Sequence, residues 1–262
     1  MFIGHFAVAL AAKRAAPRVS LGVLFAACQL PDLVWPVLLL LGWERVHVAP
    51  GATAFTPLEF VHYPVTHSLL ATLGWSLLAG GAYALWRRDR RGGAVVGLLV
   101  LSHWILDWVT HRPDLPLYPG GAEVGLGLWH SVAGTLAVEG ALFTAGLAVY
   151  LATVRPRGVA GWAAFGGLVA LLLGIYLGGV GAPPPPDVRT LAWLAMALWI
   201  IPPWAAWVDR GGAGRGGASA SSPALRPEAA GAHGGGGAGG GAWRRRATRP
   251  PGPAPPRPGT GR

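Results

Sequence analysis

Six stretches of this chain, residues 19–42, 67–86, 93–110, 131–154, 159–180 and 190–208, are apolar over about the 20 residues that a helix needs to cross roughly 30 Å of hydrocarbon. Backbone exposed to lipid must satisfy its own N–H and C=O groups, so each stretch is read as a helix. Composition excludes the competing classes. Charged residues are 12% of the 262 and apolar residues 52%. That is about half the charge of a typical soluble domain and far more apolar mass than a disordered chain carries. The expected fold is all-α, a multi-pass transmembrane helical bundle of about six spans occupying residues 1–209. Pro31 and Pro36 should kink or break the first span. The opening stretch 2–12 is only about 16 Å long as a helix. It is expected as an N-terminal half-helix that lies at the interface, enters partway or packs on the bundle. Its charges, Lys13, Arg14 and Arg18, follow the apolar run, the reverse of secretory signal order, so no cleavable signal is expected.

The net charge of +10 is unevenly distributed. Nine of the 21 basic residues but only Glu228 of the 11 acids lie in 210–262. That segment, made mostly of Gly, Ala, Pro, Ser and Arg, cannot bury enough surface to fold and is expected to be a disordered tail. Its Arg244, Arg245 and Arg246 are solvated, close to anionic headgroups or in contact with RNA. The body is nearly balanced, so its partner is the lipid bilayer, with no nucleic acid expected. The connections alternate in basic residues: three in 13–18, four in 87–91 and two in 155–157, against one each in 42–66, 111–130 and 181–189. By the positive-inside rule the first set and the tail are cytoplasmic, while the 42–66 and 111–130 loops face the other side. The single Cys28 excludes an internal disulfide and a thiolate cluster and reads as core filler.

An ionisable group near mid-bilayer costs about 2.5–3.5 kcal/mol or more, so each one marks a candidate site. Asp32 lies in the first span, His67 opens the second, His103 and Asp107 lie in the third, and Glu139 lies in the fourth. At about 1.5 Å per residue, Asp32 and Asp107 both sit about 20 Å from the cytoplasmic ends of their spans and His103 about 15 Å. Glu139 lies about 12 Å below the opposite surface. Four spans therefore bring polar groups to one depth. His103 and Asp107 are four residues apart and share a helix face, which His111 continues with some drift. Imidazole with carboxylate suits zinc, manganese or iron. The alternative is a His–Asp hydrogen bond that merely satisfies two buried groups. Thr66, before His67, is expected as the helix N-cap. The stiff loop 112–121 either holds Arg112 over an anionic substrate or only caps the helix end.

Gly4-His5, Leu30-Pro31-Asp32, Thr66-His67-Ser68-Leu69 and His103-Trp104-Ile105-Leu106-Asp107 running to Pro116-Leu117-Tyr118-Pro119 resemble, in that order, the YdjM-like family of membrane-bound metal-dependent hydrolases. The resemblance covers roughly residues 1–120. It implies a multi-pass protein of the bacterial inner membrane with a metal site touching His5, Asp32, His67, His103 and Asp107. The chain departs from the family at Val34, where a second Asp is common, which shifts a ligand to Glu139 or His111 or removes a second metal. The combined expectation is a hydrolase using divalent metal, zinc or manganese. Its ligands are drawn from His5, Asp32, His67, His103, Asp107 and His111, Glu139 is general base or further ligand, and Arg112 is the anion contact. Its substrate is an ester or phosphoester of a lipid-like amphiphile. Two rival expectations use the same residues: a transporter or ion- or proton-conducting protein, and a structural membrane protein whose polar groups hold helices together.

Overall fold

The computed structural model describes residues 1–213, with side chains through Asp209. The tail expected beyond residue 209 lies outside the described residues, apart from 210–213, which continue the last helix. Ten helices and two small hairpins follow one another in the described chain. The first, α1 (Ile3–Ala15), is the short opening helix. It is buried on nearly every side, with Ile3, Phe6, Ala7, Ala9 and Leu10 in the core. A Cβ on Gly146 would collide with the Ala7 backbone, so that glycine lets the opening helix lie directly on the helix that carries it. Of the placements open to a helix too short to span, packing on the bundle is the one taken.

The first apolar stretch is two helices, α2 (Leu21–Cys28) and α3 (Leu30–Leu40), bent by 55°. Ser20 Oγ caps α2 by accepting from Val23 N at 3.2 Å. Pro31 lies in the first turn of α3, where its missing N–H is tolerated but a continuous helix through it is not. Pro36 lies inside α3 without ending it. The break at Gln29 thus follows Pro31 alone, and it places Asp32 in the first turn of α3. At the far end of α3, Gly42 adopts φ +72° and the Trp43 N–H returns to the Leu38 carbonyl at 2.9 Å, which turns the chain back.

A hairpin follows, β1 (Arg45–Val48) antiparallel to β2 (Leu58–His62). A single turn, α4 (Pro64–His67), then leads into α5 (Leu69–Arg87). Thr66 does not cap the span as expected. Ser68 does, with extended backbone and its Oγ accepting from Ala71 N at 3.1 Å. The hydroxyl also donates to the Pro64 carbonyl at 2.6 Å, so one side chain ends one helix and starts the next. Arg88, at φ 51°, reverses the chain into α6 (Arg90–Thr110), capped by Asp89. Helices α5 and α6 pack through small residues: a Cβ on Gly80 would lie 2.7 Å from the Gly93 carbonyl, close contact of the kind that joins helices in membranes. The short pair β3 (Leu115–Pro116) and β4 (Glu123–Val124) follows, then α7 (Val132–Thr153) and α8 (Gly158–Gly179). The chain as described ends in α9 (Val188–Met196), a 3-10 turn at Ala197–Ile200, and α10 (Ile201–Ala213).

Five helical segments are long and apolar enough to cross a membrane, and the bent pair α2–α3 makes a sixth. The expected multi-pass helical bundle is therefore observed. The first stretch is broken, as its prolines predict, and one feature departs from the expectation: the loops 42–66 and 111–130 carry strands.

Candidate metal centre

Four elements deliver the polar side chains to one place. Asp32 comes from the start of α3, His67 from the last residue of α4, and His103 with Asp107 from one face of α6. His67 Nε2 lies 3.3 Å from Asp32 Oδ1 and 3.8 Å from Asp107 Oδ2. His103 Nε2 lies 3.1 Å from Asp107 Oδ2 and 3.8 Å from Asp32 Oδ1. His5 joins from α1: its ring stacks on that of His103 with centroids 3.9 Å apart, and its Nε2 is 3.1 Å from Asp107 Oδ1. Two sets of ligand atoms, His5 with His103 and Asp107, and Asp32 with His67 and His103, each fit within 4.8 Å. Asp107 Oδ1 also receives the Met1 amino group, which reaches Thr110 Oγ1 at 3.2 Å as well.

The second nitrogens of the two central histidines decide what the first ones present. His103 Nδ1 is 2.8 Å from the Cys28 carbonyl, which can only accept, so the ring proton sits there. Helix-end carbonyls lack an intrahelical partner, and Cys28 is the last residue of α2. His67 Nδ1 is 2.7 Å from Thr66 Oγ1, and that hydroxyl is 2.6 Å from Glu44 Oε2. The hydroxyl has one proton, and the carboxylate takes it, so Nδ1 of His67 must donate. Both Nε2 atoms face carboxylates, and each presents a lone pair when its ring is neutral and a proton when it is imidazolium. His103 Nε2 is buried without a hydrogen bond among the described residues. Acceptors facing acceptors repel unless positive charge lies between them. A divalent cation fits this set: two imidazoles and two carboxylates are the donors of zinc and manganese sites, and the second nitrogens are held as outer partners hold metal-binding histidines.

The remaining expected residues lie elsewhere. Glu139 is fully buried on α7, where its Oε2 accepts the backbone N–H groups of Phe2 at 2.8 Å and Gly4 at 3.2 Å. It holds the start of α1, and its Oε1 has no partner among the described residues. His111 is not brought into either set of ligand atoms. Its Nδ1 is 3.0 Å from Asp114 Oδ1 and 3.3 Å from the Tyr63 hydroxyl, and burial holds it below the usual imidazole range. Arg112 is engaged by two carboxylates, Asp114 through Nε and Glu59 through Nη2, each at 3.0 Å. The hydrogen bond from Arg112 holds the Glu59 carboxyl below its ordinary range.

A cavity of about 280 Å³ opens onto the cluster. Asp32, His67, Asp107 and His111 contribute its polar wall, and Trp35, Phe60 and Trp129 are among its aromatic walls. Glu44, Thr66 and Asp114, which position these groups, were not found in the sequence. Thr66 is the one with a local signal, since it adjoins His67. Glu44 sits beside Arg45 after an apolar helix and reads as an ordinary loop charge.

Compared with known proteins, the chain matches the model of a family described as YdjM inner membrane protein over residues 1–182. No curated protein and no solved structure matches it.

Proposed function

We propose a function from one premise: the chain belongs to the YdjM inner membrane protein family, whose model covers residues 1–182. It is a membrane-embedded, metal-dependent hydrolase acting on an ester or phosphoester of an amphiphilic substrate. The observation that carries this reading is the convergence, beside an aromatic-walled cavity, of two imidazoles and two carboxylates from three elements, with His67 and His103 each facing Asp32 and Asp107. The residues that hold the metal are Asp32, His67, His103 and Asp107, with His5 beside Asp107. Zinc or manganese bound there supplies Lewis acidity and a water of lowered pKa.

The chain's own residues supply the rest. Asp32 is the most open of the four ligands, its side chain 24% exposed, and it meets the cavity directly. His111 lines the same cavity and has its Nδ1 engaged by Asp114, so Nε2 is left to accept a proton from water or return one to a leaving group. This assigns His111 to proton transfer rather than to the metal. Glu139, given its two backbone hydrogen bonds, becomes the residue that fixes α1 and hence His5. Arg112, bound by two carboxylates, tethers β2 to the end of α6. The aromatic walls exclude water and receive an apolar portion of the substrate. By the alternation of arginines the site faces away from the cytoplasm.

A transport reading would require polar groups continuing down the bundle. The buried charges at the opposite end are Lys13 and Asp209, and they are locked to each other. The test is metal analysis of purified protein together with turnover of a carboxylic ester and a phosphodiester of one alkyl chain. Wild-type protein should contain stoichiometric metal and cleave one of the two, and His103→Ala should lose both properties. Metal-free wild-type protein that still turns over substrate would overturn the mechanism.

A further inference from the structure

Glu44 is almost completely buried, yet no part of it reaches the histidine and aspartate cluster. It stands just past the Gly42 turn at the end of α3, the helix that carries Asp32 in its first turn. Its Oε1 accepts the backbone N–H groups of Val65 at 2.8 Å and Thr66 at 2.9 Å. These are unpaired donors at the start of α4, the kind of group a carboxylate satisfies well. Its Oε2 accepts the Thr66 hydroxyl at 2.6 Å, and Thr66 Oγ1 is 2.7 Å from His67 Nδ1. One carboxylate thus fixes both the backbone of α4 and the direction of the only proton on the Thr66 hydroxyl.

We infer that Glu44 is a positioning residue for metal binding, acting through Thr66 to keep the proton of His67 on Nδ1 and the lone pair on Nε2. The inference rests on the metal-centre reading above. Its logic is a chain of single protons. With Glu44 accepting, the hydroxyl must accept from His67, and Nε2 is free to be a ligand. Glu44→Gln is nearly isosteric but inverts the chain. Its amide oxygen can still take the two backbone N–H groups, while its NH₂ faces Thr66 Oγ1 and donates. The hydroxyl then turns to His67 Nδ1, and the imidazole proton moves to Nε2, where it blocks the ligand position. Thr66→Val removes the relay while leaving Glu44 its two backbone donors. Thr66→Ser keeps the hydroxyl and should restore the wild-type state.

The experiment reads the tautomer and the affinity separately. In metal-free protein labelled with ¹⁵N-histidine, the ring nitrogen shifts of His67 should report Nδ1–H in wild type and Thr66→Ser. They should report Nε2–H or a mixture in Glu44→Gln and Thr66→Val. Zinc affinity, measured by competition with a chelating dye, should fall 10- to 100-fold in the latter two, the usual cost of losing an outer partner of a metal-bound histidine. Nδ1–H in Glu44→Gln and Thr66→Val with unchanged zinc affinity overturns the inference and leaves the metal centre standing. If wild-type protein takes up no zinc while the tautomer still follows residues 44 and 66, the metal centre fails and the relay survives. If Glu44→Gln does not fold, Thr66→Val and Thr66→Ser decide the matter between them.

Discussion

Two of the clusters of ionisable groups among the described residues are built on different rules. At one end, the Lys13 ammonium donates to Asp209 Oδ2 and to the Val19 carbonyl at 2.7 Å. The same carboxylate oxygen accepts Leu21 N at 2.7 Å. Every donor there faces an acceptor, and the cluster joins the end of α1, the start of α2 and α10 in one knot. At the other end, His67 and His103 turn Nε2 toward the carboxylates of Asp32 and Asp107. Both clusters contain buried ionisable groups, so burial alone distinguishes nothing. The donor sets do: the first is an ammonium closed on one carboxylate, and the second gathers the imidazoles and carboxylates that fit a divalent cation.

The contrast fails outright if metal is not lost where imidazoles face carboxylates. Asp107→Asn and His103→Ala should each lower zinc affinity by at least about 100-fold, beyond the range for outer partners. The converse test is Lys13→Met, which leaves a buried carboxylate without its cation and should cost about 3–5 kcal/mol. Zinc stoichiometry should not change. Adding Asp209→Leu should recover most of the stability, since an apolar pair often replaces a buried ion pair at little cost. Loss of metal in Lys13→Met with stability intact would reverse the assignment of the two ends.

The smallest expected effect concerns an exposed pair that resembles neither cluster. Glu59, held by Arg112, has its carboxyl below the ordinary value of 4.5. A depressed carboxyl contributes stability above its unfolded pKa and loses that contribution as pH falls through the folded one. Hydrogen-exchange protection in β1 and β2, corrected for intrinsic rates, should therefore fall as pH drops below about 4.5, and Glu59→Gln should abolish that dependence. Because the pair is solvent-screened, the effect at neutral pH should be close to nothing.

What the sequence made legible follows the same divide. Spans, the break ahead of Pro31 and the gathering of Asp32, His67, His103 and Asp107 could be read because each depends on local spacing or on depth along one helix. Glu44 could not be read, because its role exists only once the Gly42 turn lays it against α4. Asp114 likewise gains its role when the chain past α6 folds back on His111. Ser68 was missed as a cap for a different reason: Thr66-His67-Ser68 offers two capping side chains, and only the extended backbone at Ser68 chooses between them. His111 does not continue the face of α6: it is the extended residue just past the helix, Asp114 takes its Nδ1, and the ring lines the cavity wall.

The 55° bend between α2 and α3 has a consequence for any survey of this protein by substitution. The partner that sets the orientation of His103 is the carbonyl of Cys28, an atom of the main chain freed where α2 ends. Replacing Cys28 with alanine, serine or valine keeps that oxygen, so a residue-by-residue scan will pass over position 28 and report it as tolerant. The dependence will surface three residues farther on and from an unexpected direction. A residue at 31 that restores an N–H and lets the helix run straight should reclaim or displace the carbonyl, and His103 should lose its anchor without itself being touched. Part of this site's specification is inherited from a discontinuity in the backbone, and side-chain genetics can read it only at Pro31.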